Sequence, residues 1–179
     1  MNLAIIPARG GSKRILKKNI KLFHGKPIIS YSISTALSSG LFDRVIVSSD
    51  DDHIIDVSKK YGAEVLSKRS KKLSDDLTPI IEVIKDVLNE LGKDVEKYQN
   101  ICCIYACSPF ITSDDLTNSL DLMIESSALS CIPVAEFNSS PQRAFKIEAD
   151  NRLKWVYPEY RLTRTCLLYT SDAADDLLC

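Results

Sequence analysis

The first 42 residues contain no aspartate or glutamate, and the first acid of the chain is Asp43. The same stretch is rich in lysine and arginine, although the 179-residue chain has a formal net charge of −1. A local basic block concentrates small polyanions, whereas nucleic-acid binding more often brings a basic chain with aromatic residues among the charges. Aromatic residues make up only 7% of this chain. We therefore expect a small anionic ligand and no nucleic-acid partner.

Several common signatures are also missing. Neither G-x-x-x-x-G-K-[ST] nor G-x-G-x-x-G occurs, so neither a P-loop NTPase nor a dinucleotide-binding fingerprint is supported. The six cysteines form no C-x-x-C pair, and most sit in or beside apolar runs. This pattern predicts buried, reduced thiols and argues against a zinc site. The cysteines are Cys102, Cys103, Cys107, Cys131, Cys166 and Cys179.

The N-terminus lacks a charged and apolar leader, and no apolar stretch is long enough to span a membrane. We therefore expect a cytoplasmic protein with no membrane contact. Hydrophobic residues make up 45% of the chain and charged residues 26%. This is ordinary globular usage, which excludes a disordered or fibrous chain.

Short apolar runs alternate with segments of helical periodicity along most of the chain. This alternation predicts an α/β fold with a mostly parallel sheet, right-handed crossovers and helices on both faces. We expect strands at residues 3–6, 44–50, 63–66, 101–105 and 130–135, with 101–105 near the sheet centre, and helices that include 27–37 and 78–91. A hairpin with an Asp-Asn turn is expected over residues 145–156. Ligands bind beyond the carboxyl ends of parallel strands. The residues expected there are Arg9, Asp50, Arg69, Cys107 and Ser108.

A cationic loop with two glycines follows the first apolar run. Gly10 and Gly11 allow a ligand to approach backbone N–H groups closely, and cationic side chains surround them. This combination is suited to binding a polyphosphate. The alternative interpretation is an ordinary, solvent-exposed basic turn. The donors around the glycines are Arg9, Ser12, Lys13, Arg14, Lys17 and Lys18.

This loop resembles the first motif of the cytidylyltransferases that activate nine-carbon acidic sugars, the CMP-sialic acid synthetase family. Leu16 stands where the family usually has proline, a change that removes no donor. The resemblance implies a Rossmann-like, GT-A-like fold of the nucleotide-diphospho-sugar transferases. The matching residues are Ala8, Arg9, Gly10, Gly11, Ser12, Lys13, Lys18 and Asn19.

Two further segments resemble motifs of the same family. Residues 68–78 match a motif whose arginine and small polar residues surround the nucleotide, which nominates Arg69, Ser74, Asp76 and Thr78. An ordinary solvated loop before a helix is the alternative. Residues 102–110 resemble a third motif in its pseudaminic acid form, because the sialic acid branch usually has glutamine where Tyr105 stands.

Residues 137–144 also resemble the pseudaminic acid branch, in which a similar segment lies near the sugar. The resemblance assigns Tyr105, Gln142, Arg143 and the later Arg164 to the sugar. Arg143 suits a bidentate bond to the sugar carboxylate. Each of the two arginines could equally be an ordinary surface residue.

The resemblance stops at about Thr165. We expect residues 1–165 to form a nucleotidyltransferase domain that is incomplete at its C-terminus, and residues 166–179 to be a non-native tail. Family members continue into a region that carries an Asp-x-Asp pair for Mg²⁺ and most dimer contacts. The expectation is therefore no metal ligand in this chain, with a homodimer only for a longer protein.

The resemblance implies transfer of CMP from CTP to a nonulosonic acid, with pseudaminic acid preferred. CTP is the co-substrate and Mg²⁺ the cofactor. The catalytic candidates are Arg9, Lys13 and Lys18, which with Ser12 would bind phosphate. The nucleotide candidates are Asn19, Arg69, Ser74 and Thr78. Two alternatives remain open: a CMP-N-acetylneuraminate or CMP-legionaminate synthetase, and a non-catalytic nucleotide-binding fragment.

Overall fold

A computed structural model describes residues 1–134 and 140–163. These residues belong to two compact units, Met1–Cys131 and the part of the chain from Ile132 onward. Short 3-10 helices connect several of the main elements. The helices and strands of the first unit are β1 (Asn2–Pro7), β2 (Leu22–Phe23), β3 (Lys26–Pro27), α1 (Ile28–Ser38), β4 (Arg44–Ser48), α2 (Asp52–Lys60), α3 (Ile80–Leu91), β5 (Asn100–Cys103) and α4 (Ser113–Glu125).

The main sheet of the first unit has three parallel strands in the order β4-β1-β5. Strand β1 lies in the middle, so its apolar run is buried on both faces, as its sequence predicts. Ala4 and Ile6 pack into one core cluster together with residues of α1, α2 and α4. Leu3 and Ile5 point to the opposite face and pack against α3. Helices therefore cover both faces, and the predicted α/β fold is confirmed.

Local sequence signals fix where the helices begin and end. The carboxylate of Asp51 accepts a hydrogen bond from the backbone of Ile54 at 3.1 Å and caps α2. Thr112 and Asp115 form a reciprocal capping box at the start of α4, and these hydrogen bonds lower the pKa of Asp115. Gly40 and Gly62, with φ of 66° and 93°, follow α1 and α2 in the left-handed region.

The strand predictions are wrong in three places. Strand β5 was expected near the sheet centre, but among the described residues it pairs only with β1 and forms an edge. Residues 63–66 make a single parallel bridge, from Glu64 to Ile46, instead of a strand. Residues 130–134 form no strand, and Ala135 lies outside the described residues. In the last two places the sequence contains apolar and β-branched residues, but no neighbouring strand in the described part of the chain pairs with the whole segment.

The prediction of buried thiols holds only in part. Cys102 and Cys107 are partly buried, whereas Cys103 and Cys131 are exposed. Cys103 is exposed because β5 lies at the edge of the described sheet. Cys166 and Cys179 lie outside the described residues.

The second unit contains an antiparallel hairpin of β6 (Phe145–Ile147) and β7 (Leu153–Trp155). The rings of Phe145 and Trp155 contact each other across it, with centroids 4.1 Å apart and planes tilted by 42°, and Asn151 adopts a φ of 62° in the turn. The predicted hairpin is therefore confirmed. The boundary at residue 165 and the proposed tail stay predictions, because residues 164–179 lie outside the described part.

Among the described residues, no helix is both long and apolar enough to cross a membrane.

Candidate functional site

An open cleft of about 330 Å³ lies beyond the carboxyl ends of β1 and β5. Three segments form it: the cationic loop after β1, the loop that leads into α3, and the residues that follow β5. These are the strand ends at which the sequence places a ligand. The cleft is lined by Pro7, Arg9, Ser12, Lys18, Asn19, Arg69, Leu73, Asp75, Asp76, Thr78, Ile80, Val83, Tyr105, Ala106 and Cys107.

The cationic loop is held against the end of β4 and the turn that follows it, through Ala8 and Gly10. The buried Ala8 donates its N–H to the carbonyl of Ser48 at 2.9 Å, and Gly10 donates its N–H to the carboxylate of Asp50 at 2.9 Å. A Cβ at Gly10 would lie 2.7 Å from the Cβ of Asp51, so this position has no room for a side chain. The N–H of Gly10 therefore faces a carboxylate, whereas the sequence suggested that it faces a ligand.

Gly11 differs from Gly10, because a Cβ there would meet no atom within 4 Å. The left-handed residue of this loop is Lys17, with a φ of 51°. Lys17 precedes the 3-10 helix Lys18–Ile20, which brings Lys18 and Asn19 to the cleft.

Arg9 and Lys13 both contact the carboxylate of Asp76. Arg9 Nη1 lies 2.7 Å from Asp76 Oδ1, and Lys13 Nζ contacts Asp76 Oδ2. Arg9 Nη1 also donates to the carbonyl of Asp75 at 2.6 Å. The Lys13 and Arg9 contacts lower the pKa of Asp76, so the carboxylate is ionised at neutral pH. Two of the cationic side chains predicted to bind phosphate, Arg9 and Lys13, thus contact the same carboxylate.

Arg69 is the most buried cation of the cleft, with 3% of its side chain exposed. Its Nε donates to the hydroxyl of Ser74 at 3.1 Å, and its Nη2 lies 3.8 Å from Asp50 Oδ1. Burial lowers the pKa of Arg69, while the charge of Asp50 opposes the shift. Asp50 therefore links Arg69 to the N–H of Gly10. Ser74 supports Arg69 from the side and is not among the lining residues.

A tight turn centred on Asp75 carries Thr78 and Asp76. Asp75 Oδ1 accepts hydrogen bonds from the backbone of Leu77 at 2.9 Å, and from the backbone and hydroxyl of Thr78 at 2.7 and 2.8 Å. These bonds lower the pKa of Asp75. The hydroxyl of Thr78 lies at the cleft but is engaged with this turn.

The remaining candidates fall into two groups. Ser12, Lys18 and Tyr105 line the cleft without a side-chain hydrogen bond that would occupy them within the described residues. Gln142 and Arg143 lie in the second unit, where Arg143 donates to the carbonyls of Arg161 and Thr163 and stands 5.8 Å from the Trp155 ring. Arg164 lies outside the described residues.

Residues 3–154 match the family model described as Cytidylyltransferase. The chain belongs to the cytidylyltransferase family. A pseudaminic acid cytidylyltransferase from Campylobacter jejuni subsp. jejuni serotype O:2 is 44% identical over 152 residues, which are 85% of this chain and 66% of that protein. A CMP-N,N′-diacetyllegionaminic acid synthase from Legionella pneumophila subsp. pneumophila is 31% identical, over 88% of this chain and 66% of that protein.

The fold agrees with this family assignment. A solved CMP:2-keto-3-deoxy-manno-octonic acid synthetase complexed with CTP superposes with a TM-score of 0.57 at 23% identity, covering 72% of this chain and 49% of that one. This likeness shows a nucleotide-sugar transferase fold, as predicted. The chain spans 66% of the length of the Campylobacter relative.

Sequence reasoning missed two parts of this cleft. Asp75 organises the turn, and Leu73, Ile80 and Val83 form an apolar wall of the cleft lining. The Asp-x-x-Thr spacing at residues 75–78 is typical of a side-chain-capped turn and could have revealed Asp75. The wall carries no such signal, because its residues also suit an ordinary amphipathic helix.

The part of the chain that the structure describes contains no ligand set for the Mg²⁺ that the family implies. No group of three or more His, Cys, Asp or Glu side chains that could hold a metal occurs there. Asp50, Asp75 and Asp76 lie near the cleft, but each carboxylate is engaged with donors of the chain.

Proposed function

We propose that this protein transfers CMP from CTP to a nonulosonic acid, with pseudaminic acid as the preferred sugar. The anomeric hydroxyl oxygen would attack the α-phosphorus of CTP. The bond from this phosphorus to the oxygen bridging to the β-phosphate breaks, and pyrophosphate leaves. The hydroxyl proton passes to solvent, and the products are the CMP-sugar and pyrophosphate.

The observation that carries this proposal is the convergence of Arg9, Lys18 and the buried Arg69 on one cleft beyond the strand ends, with Lys13 paired to the cleft residue Asp76. In phosphate transfer most of the rate enhancement comes from positioning and from neutralising charge that develops on the phosphates. Lys18 and Ser12 are the donors best placed for this task. The loop thus supplies the electrostatic part of the reaction with little covalent chemistry by the protein.

Base recognition is assigned to Asn19, Arg69 and Thr78, which line the cleft, and to Ser74, which accepts a hydrogen bond from Arg69. A site built on hydrogen bonds to a base rejects the wrong base strongly, because buried donors and acceptors would be left unpaired. The hydrogen bonds to Asp75 hold Thr78 in place, and the bond that Arg69 donates to Ser74 orients the guanidinium. We expect CTP to be used and UTP to be rejected.

Tyr105, Gln142, Arg143 and Arg164 are proposed to contact the sugar. Tyr105 lines the cleft and is 62% exposed, so its ring is accessible to a ligand. The 44% identity to a pseudaminic acid cytidylyltransferase favours that sugar, and the 31% identity to a legionaminic acid synthase keeps the second sugar class as the alternative.

The test is release of pyrophosphate from CTP with pseudaminic, legionaminic and N-acetylneuraminic acids supplied separately. The proposal predicts release that is fastest with pseudaminic acid and absent with UTP. Faster pyrophosphate release with another sugar would show that this other sugar is the preferred substrate. Binding of CTP without release for any sugar would support a non-catalytic nucleotide-binding chain. We further propose Mg²⁺ dependence, a homodimer and a cytoplasmic location, to be checked by chelation, light scattering and fractionation.

A further inference from the structure

The carboxylate of Asp76 contacts two loop cations, Arg9 and Lys13, that the proposed function assigns to phosphate binding. One of its oxygens lies 2.7 Å from Arg9 Nη1, and the other contacts Lys13 Nζ. We propose that Asp76 is an internal competing anion, which holds Arg9 and Lys13 until a polyphosphate displaces it. The inference rests on the proposed function for the nature of the ligand.

Asp76 takes no part in the hydrogen bonds that hold the turn together. Asp75 makes the hydrogen bonds that hold the turn, to the backbone of Leu77 and to the backbone and hydroxyl of Thr78. Arg9 also donates to the backbone carbonyl of Asp75. The described contacts of Asp76, in contrast, are with Arg9 and Lys13. The charge of Asp76 can therefore be removed while the turn and one anchor of Arg9 remain.

The contact is exposed enough to be exchanged for a ligand. The side chains of Arg9 and Asp76 are 37% and 39% exposed, and that of Lys13 is 82% exposed. Exposed ion pairs are weak, so a ligand with several negative charges can replace a single carboxylate. The competition should weaken binding of any polyphosphate that needs both cations, by about three- to tenfold. It should equally weaken binding of the pyrophosphate that is released.

The test compares inorganic tripolyphosphate with cytidine as ligands of the chain, by titration calorimetry at low ionic strength. Asp76→Asn keeps the shape of the side chain and removes its charge. We expect Asp76→Asn to bind tripolyphosphate about three- to tenfold more tightly than the unmodified chain, with no comparable gain in cytidine affinity. Asp76→Glu should bring the affinity back toward that of the unmodified chain, because it restores a carboxylate.

Asp94→Asn is the matched control, because Asp94 pairs with Lys97 at 2.6 Å on an exposed 3-10 helix outside the cleft. It should leave both affinities unchanged. Equal or weaker tripolyphosphate binding by Asp76→Asn would overturn the inference, as would a parallel gain for cytidine. If Asp76→Asn does not fold, as judged by thermal unfolding, Asp76→Ser takes its place with the same expected gain.

This experiment also separates the inference from the proposed function. A gain for tripolyphosphate in a chain that shows no binding of CTP would support the competing anion and refute the nucleotide assignment. Unchanged tripolyphosphate binding in a chain that turns over CTP would refute only the competing anion.

Discussion

The side-chain amide of Asn19 donates a hydrogen bond to the carbonyl oxygen of Arg9 at 2.8 Å. The other end of the same amide accepts a bond from the thiol of Cys107, with a distance of 3.1 Å from Sγ to Oδ1. Asn19 is buried, at 6% exposure. It therefore ties the end of the cationic loop to its beginning and to the segment after β5, whether or not it also touches a nucleotide.

Asn19→Ala should lower both stability and turnover, because it leaves the Arg9 carbonyl and the Cys107 thiol without these partners. We expect a loss of about 1–2 kcal/mol in the free energy of unfolding, measured in urea. Asn100→Ala is the control, since Asn100 donates to Asn2 at 2.9 Å at the start of the sheet. It should cost similar stability but leave CTP turnover intact. Equal turnover in the two variants would contradict a role of Asn19 in holding the loop.

Lys18→Ala should lower turnover far more than it lowers stability. Lys18 is exposed and lines the cleft, so its removal leaves the core untouched. A charge-assisted bond to phosphate contributes about 1.5–3 kcal/mol, which corresponds to a loss of roughly 10- to 150-fold. Pyrophosphate release measures it. Lys26→Ala removes an exposed cation of the same basic block that does not line the cleft, and it should retain full turnover.

Ile5→Ala should destabilise the chain by about 2–5 kcal/mol, because Ile5 is fully buried in the central strand β1. Urea unfolding measures the loss. Ile81→Ala removes the same atoms from a side chain on α3 that is 50% exposed, and it should change stability by no more than about 0.5 kcal/mol. Similar losses in both variants would mean that β1 is not the centre of the core.

Lowering the pH should remove the stabilisation that the Thr112–Asp115 cap of α4 contributes to the folded chain. The bonds to the side chain and backbone of Thr112 lower the pKa of Asp115 below its ordinary value of 3.8. Because the pKa is lower in the folded state than in the unfolded state, the ionised Asp115 stabilises the fold above a pH of about 3.8. This stabilisation is lost as the pH falls through the folded-state pKa. The Tm of Asp115→Asn should therefore lie below that of the unmodified chain at pH 7. The two values should converge in strong acid, whereas a constant difference down to pH 2 would contradict the assignment.

Local signals predicted the elements that depend only on local chemistry. Strand β1 follows from four consecutive apolar residues, the β6–β7 hairpin from its Asp-Asn turn, and the position of the cleft from the general behaviour of parallel sheets. In each case the physical cause lies within a few residues or in the topology. The identity of the cationic loop followed from its residue types.

The rest depended on contacts between residues distant in sequence. The pairing of Arg9 with Asp76 joins positions that no periodicity relates. The edge position of β5, and with it the exposure of Cys103, depends on which strands find partners. Residues 130–134 have the composition of a strand, but composition does not provide a neighbour to pair with.

The tight contact between Gly10 and Asp51 has a consequence for how the loop and α2 can vary. Asp51 begins the helix through its bond to Ile54, and it also leaves no room for a side chain at Gly10. The adjacent Asp50 accepts the Gly10 N–H. One short turn thus sets both the first residue of a helix and the path of the loop. Lengthening that turn by one residue would move both together, so insertions here should be far less tolerated than in the exposed connection after α3.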